Sequence, residues 1–139
     1  MARIPRIVVT EDDYSLLRRL SSHPQLAAEL GAAEVVESLA VSPDVVTMNS
    51  RVLYEDESTG ERREVTIVFP QESDAHGKRI SVLAPIGTAL LGLSAGQTIV
   101  WPFPDGTSRS LKVLRVVYQP EADGRPQPSP RRAAASQAR

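Results

Sequence analysis

The sequence predicts an α+β fold: a short antiparallel helical hairpin, then a mostly antiparallel β-sheet with one short helix against it, then an unstructured C-terminal tail. Three observations carry this expectation. Apolar residues recur at helical spacing up to residue 43, short β-prone runs separated by turn residues fill 44–119, and 120–139 is rich in proline, arginine, alanine and glutamine with almost nothing to bury. The expected organisation is therefore 1–43, 44–119 and 120–139, with no internal repeat.

The first helix is announced by Thr10 followed by Glu11, Asp12 and Asp13. The hydroxyl can cap a free backbone N–H, and carboxylates suit the positive end of the helix dipole. Val9 and Tyr14 are spaced for a hydrophobic staple across the cap. Tyr14, Leu17 and Leu20, with Leu16 beside them, form the apolar stripe. The helix should break at Ser21-Ser22-His23-Pro24, because proline removes a donor and disfavours helical geometry in its predecessor. Leu26, Leu30, Ala33, Val36 and Ala40 then predict a second helix, packed back on the first and ended by Ser42-Pro43.

Six β-prone runs follow: Val45 to Met48, Val52 to Tyr54, Val65 to Phe69, Ile80 to Leu83, Thr98 to Trp101 and Leu111 to Tyr118. Asn49-Ser50, Ser58-Thr59-Gly60 and Asp105-Gly106 separate some of them as turns. One segment departs from the pattern. Pro85-Ile86-Gly87-Thr88-Ala89-Leu90-Leu91-Gly92 has proline where a first helical position tolerates it, an apolar run, and glycine at the far end, so a short helix is expected there.

Composition narrows the function. The 139 residues contain no cysteine, which removes disulfides, thiolate catalysis and thiolate metal sites and suits the cytoplasm. A net charge of −1 lacks the footprint of a chain that grips nucleic acid through many phosphates; Arg62-Arg63, Lys78-Arg79 and Arg131-Arg132 read as solvated pairs. The start offers only Ile7-Val8-Val9 before acidic residues, too short for a signal core or a membrane span.

No catalytic set assembles. Gly92-Leu93-Ser94-Ala95-Gly96 matches the G-x-S-x-G nucleophile elbow in letters, but that motif needs a strand before the serine and a helix after it, and here the order is reversed. His23 and His76 are the only histidines and read as surface residues. Glu55-Asp56-Glu57 lacks the ligand spacing of a calcium loop and reads as a strand end. The expectation is a non-enzyme with no catalytic residue, no bound metal and no cofactor.

At Asp44-Val45-Val46-Thr47-Met48-Asn49-Ser50-Arg51-Val52 and Ala84-Pro85-Ile86-Gly87-Thr88-Ala89-Leu90-Leu91-Gly92-Leu93 the chain resembles the Rnk family, the regulators of nucleoside diphosphate kinase, relatives of the Gre transcript-cleavage factors. The likeness runs from about residue 7 to 121 and includes Thr59-Gly60-Glu61 and Val117-Tyr118-Gln119-Pro120. It implies a twisted FKBP-like sheet domain behind a shortened coiled-coil hairpin. In Gre-like proteins the globular domain grips the rim helices of the RNA polymerase β′ subunit at the secondary channel, through a segment that Pro85, Ile86, Gly87, Ala89, Leu90, Leu91 and Gly92 match. Ala84 replaces that segment's serine.

The resemblance thus implies partner-binding residues Leu83, Ala84, Pro85, Ile86 and Gly87, with Ala89, Leu90 and Leu91 left to packing. Gre factors also hold catalytic magnesium with acidic residues at the hairpin tip, and magnesium needs oxygen ligands. The tip here, Ser21-Ser22-His23-Pro24-Gln25, has no carboxylate, and a helix over 11–20 reaches only ~15 Å. The expected protein is a cytoplasmic, monomeric RNA polymerase-binding regulator that competes with Gre-type factors without cleaving RNA. It should have no specific nucleic-acid site of its own and no membrane attachment. Direct regulation of nucleoside diphosphate kinase is an alternative. Peptidyl-prolyl isomerisation is a weaker one, since fold analogy alone suggests it and aromatics are 4% of the chain.

Overall fold

A computed structural model describes residues 7–20, 22–74 and 78–124. The architecture is α+β. Strand β1 (Val8–Thr10) leads into helix α1 (Glu11–Leu17), whose last turn tightens into a 3-10 segment at Arg18–Leu20; helix α2 (Pro24–Ala32) follows. The cap forms as the sequence predicts, with the Asp13 N–H donating to Thr10 Oγ1 at 3.1 Å. Pro24 opens α2 at a position where its missing N–H costs nothing.

The second helix stops well short of Ala40. Strand β2 (Glu34–Val36) takes its place and pairs in parallel with β1, register Val9 to Val35, and a 3-10 turn covers Ser38–Ala40. Adjacent β-branched residues at Val35 and Val36 lose rotamer freedom in a helix, and Val8-Val9 offers them a ladder instead. The Glu34 N–H donates to Ile7 O at 2.9 Å.

Strands β3 (Arg51–Asp56), β4 (Glu61–Val68), β5 (Arg79–Ser81), β6 (Thr98–Pro102) and β7 (Ser108–Tyr118) form one sheet in the order β5-β4-β3-β7-β6. Its pairings are antiparallel except β4 with β5. Two expected strands are corrected. Val45 to Met48 contributes only a bridge from Val45 to Ser94, because the chain turns at Asn49, at φ 68°, where Ser50 Oγ accepts the Thr47 N–H at 2.9 Å. The Ile80 to Leu83 strand ends at Ser81, whose carbonyl accepts the Ala84 N–H at 3.0 Å and turns the chain into helix α3 (Pro85–Leu90).

Val52, Tyr54, Ile67, Leu111 and Val113 of the sheet share one core with Ala89 and Leu90 of α3 and with Leu91 just after it, and Leu17, Leu26 and Leu30 of the N-terminal helices belong to the same core. The expected tail is corrected at its start: Pro120–Gly124 is a one-turn helix, α4, while 125–139 lies outside the described residues. Gln119 anchors it, its Nε2 donating to Ser42 O at 2.8 Å and Val45 O at 2.9 Å.

Candidate functional site

The segment that enters α3 is held by backbone geometry rather than by a side-chain cap. Ala84 occupies the N-cap position without a capping hydroxyl, and Pro85 begins the helix. Thr88 compensates from inside, its buried hydroxyl lying 2.5 Å from Val82 O and 3.1 Å from Ala84 O. Such bonds tie the helix to the turn before it.

Two glycines bracket the element. A Cβ on Gly87 would lie 2.1 Å from Ser81 O, so only glycine lets the first turn approach β5 this closely. Gly92 sits at φ +83°, and a Cβ there would meet Ile7 Cβ at 2.6 Å. Its carbonyl accepts the Val8 N–H at 3.0 Å and its N–H donates to Val46 O at 2.9 Å. The end of α3 is thereby bonded to both the first strand and the turn before β3.

Of the sequence-predicted contact residues, Ala84, Pro85 and Ile86 come together along one wall of a shallow, mainly apolar groove of about 370 Å³. Ile80 and Phe103 complete its apolar surface, and Arg79 and Asp74 also line it. Leu83 is half-buried and packs against the core, and Gly87 is buried, so both stand behind the groove. Ala89, Leu90 and Leu91 are buried as packing residues. Ile80 and Phe103 were not singled out from the sequence. The signal for Phe103 was its position in Pro102-Phe103-Pro104, where flanking prolines end a strand and leave an aromatic ring outside the ladder.

Phe103 is held from both sides. Its N–H donates to Thr107 O at 2.8 Å across the turn, and the Arg109 guanidinium lies 4.5 Å from the ring centroid. Arg109 is positioned in turn by Asp56 at 3.6 Å and Asp105 at 3.9 Å. Hydrogen bonds from the Thr107 side chain and backbone N–H hold the Asp105 carboxyl below its ordinary range.

A second polar centre joins the N-terminal helices to the sheet. Asp13 Oδ2 accepts the Met48 N–H at 3.0 Å, and Thr47 Oγ1 donates to Glu121 Oε1 at 2.7 Å one residue away. Burial pushes the Asp13 carboxyl up to about 7, against the opposing Met48 hydrogen bond and helped by nearby Glu121 and Asp12. Glu29 on α2 is buried as well, with one carboxylate oxygen lacking a partner, and desolvation raises it to about 7. The sequence marked Asp13 only as a helix-start acid, and Glu29 did not stand out in it.

The remaining candidates fall as follows. Gly92 and Gly96 both take positive φ around Ser94, with α3 before and β6 after, the reverse of a nucleophile elbow. His23 is half-buried before α2, with Nδ1 buried and unpartnered, which corrects its reading as a surface residue; His76 lies outside the described residues. Among the described residues no group of three or more His, Asp or Glu side chains is arranged to hold a metal ion, and no helix is long and apolar enough to cross a membrane.

Comparison with known proteins gives concordant matches. The family model described as transcription elongation factor, GreA/GreB, C-term matches residues 41–118. The regulator of nucleoside diphosphate kinase from Escherichia coli (strain K12) is 39% identical over 86% of this chain and 95% of its own length. A transcription elongation factor GreA from Chelativorans sp. (strain BNC1) is 38% identical over 64% of this chain but only 56% of its own. Among solved structures, a prokaryotic transcription elongation factor GreA/GreB from Nitrosomonas europaea is 41% identical, with a TM-score of 0.66 over 82% of this chain and 99% of that one.

Proposed function

Because the chain belongs to the GreA/GreB C-terminal family and matches the regulator of nucleoside diphosphate kinase along nearly its whole length, we propose that it is a Gre-related transcription regulator that binds RNA polymerase. Its FKBP-like sheet domain docks on the β′ rim helices at the secondary channel, and it excludes longer Gre-type factors without stimulating RNA cleavage. The carrying observation is the apolar groove lined by Ala84, Pro85 and Ile86 at the front of α3 and by the Phe103 ring that Arg109 covers. A helix laid across such a groove buries an apolar side chain on contact.

The front of the molecule supports the non-cleaving part. Helix α1 spans seven residues, about 10 Å at 1.5 Å per residue, and its chain does not return as a long second helix. An arm so short reaches no great depth into a channel. The tip residues Ser22, His23 and Pro24 supply no anionic oxygen, whereas magnesium is held by carboxylates. The names of its relatives, a regulator and elongation factors, accord with a binding role in the cytoplasm rather than an enzymatic one.

A pull-down with purified RNA polymerase tests the reading. The protein is expected to bind polymerase, to lose binding when the β′ rim helices are deleted or when Pro85→Asp or Ile86→Asp is introduced into a protein shown to remain folded, and to leave backtracked RNA uncleaved. Efficient cleavage, or undiminished binding by the Ile86→Asp protein, overturns it.

A further inference from the structure

The groove does not end at Arg79. The same residue lines a second, open cavity of about 530 Å³, together with Arg51, Lys78 and Asn49 and the carboxylates Glu64 and Asp74. The apolar groove and this polar cavity are therefore adjoining parts of one surface, meeting at Asp74 and Arg79 on the sheet's edge.

The charges in the cavity are not balanced. Glu64 lies 3.7 Å from Arg51, and Asp74 Oδ1 faces the backbone N–H of Arg79 at 3.5 Å. Among the described residues, the charged ends of Lys78 and Arg79 have no carboxylate within ion-pair distance. Two exposed cations beside an apolar groove are set to meet an anion that arrives with an apolar surface, and the pairing strengthens as docking excludes water.

From this juxtaposition we infer that the partner segment seated in the groove carries an Asp or Glu side chain about one helical turn from its apolar contact. That carboxylate enters the cavity between Lys78 and Arg79. The inference rests on the docking reading above and specifies the partner's chemistry. A nucleic-acid backbone fits less well, because Glu64 and Asp74 line the same cavity and repel a run of phosphates, while a single carboxylate can sit between the two cations.

The test uses the full chain and core RNA polymerase, with affinity measured at about 50 and about 300 mM salt. The Lys78→Glu, Arg79→Glu double variant, both positions being exposed, is compared with Ile86→Asp and with the unaltered protein after melting curves verify folding. The double variant is expected to bind about 10-fold or more weakly at low salt, with the deficit shrinking at high salt. If Ile86→Asp abolishes binding but charge reversal changes neither affinity nor its salt dependence, the carboxylate inference falls and docking stands. If Ile86→Asp binds normally, the docking reading itself falls, and this inference with it. If charge reversal instead removes binding to single-stranded RNA while polymerase affinity holds, the ligand is a phosphate backbone and the inference is overturned.

Discussion

Asp13 offers the sharpest quantitative prediction, because its carboxyl is buried at the junction of α1 and the turn before β3 and is raised from an ordinary 3.8 to about 7. A raised carboxyl value means that the folded protein holds the proton more tightly than the unfolded chain. The stabilisation is complete below about 3.8, declines as pH rises through the interval, and is gone above about 7. Each unit of pH in that interval removes ~1.4 kcal/mol, so the full excursion is on the order of 4 kcal/mol and the part between pH 5 and 8 about 2–3 kcal/mol.

Asp13→Asn isolates this contribution. The amide oxygen can still accept the Met48 N–H but cannot ionise, so the variant should match the parent below about pH 3.8, exceed it by about 1.5 kcal/mol near pH 5 and by about 4 kcal/mol near pH 8. For a domain of this size a urea slope of about 1–2 kcal/mol/M converts the change between pH 5 and 8 into a midpoint shift of about 1–3 M. Urea titrations at pH 5, 6, 7 and 8 read it directly. A parent midpoint that does not fall over this range, or a variant midpoint that falls in parallel with it, refutes the reasoning.

Glu29→Gln should remove a somewhat smaller pH-dependent contribution, since burial raises Glu29 to about 7 from 4.5 rather than from 3.8; the double variant with Asp13→Asn is expected to be nearly flat in urea midpoint from pH 5 to 8. Gly87→Ala forces the first turn of α3 away from Ser81 O and should cost about 1–3 kcal/mol by thermal melting, with the groove residues displaced along with the helix. Gly92→Ala combines a left-handed backbone position, costing ~1–2 kcal/mol, with a clash at Ile7, and should release β1. Limited proteolysis checks this through faster cleavage near residue 8.

Much of this was legible in local sequence, and what was hidden is mostly long-range. Thr10 with three acids declared a helix start because capping involves residues three apart. The same acids concealed Asp13's larger role, since its partner Met48 is 35 residues away. The run from Leu26 to Ala40 kept helical spacing while its composition changed: Val35-Val36 suited a strand, and only the presence of Val8-Val9 alongside decided the matter. Val45 to Met48 has strand-forming residues but spends its hydrogen bonds on Leu93, Gln119 and Asp13 instead of a ladder. The groove was half legible. Family likeness pointed to Ala84, Pro85 and Ile86, while Ile80 and Phe103 reach it from β5 and the β6–β7 turn, a convergence that no local pattern encodes.

The short arm and the groove form one mechanical unit, and the hydrogen bonds show how. Helix α3, whose front walls the groove, ends at Leu90 and the chain turns at Gly92; that residue bonds Val8 of β1 and Val46 of the turn, the Val46 N–H returns to Leu93 O at 2.8 Å, and two residues later Met48 bonds Asp13 of α1. Every link uses backbone or a buried carboxyl, and the core side chains Ile7, Val9, Leu17 and Leu93 fill the space between. Because packed interiors deform little, a partner that fixes the front of α3 also fixes the direction in which α1 points. If the front of α3 docks as proposed, its attachment and the orientation of α1 are coupled through this chain of bonds.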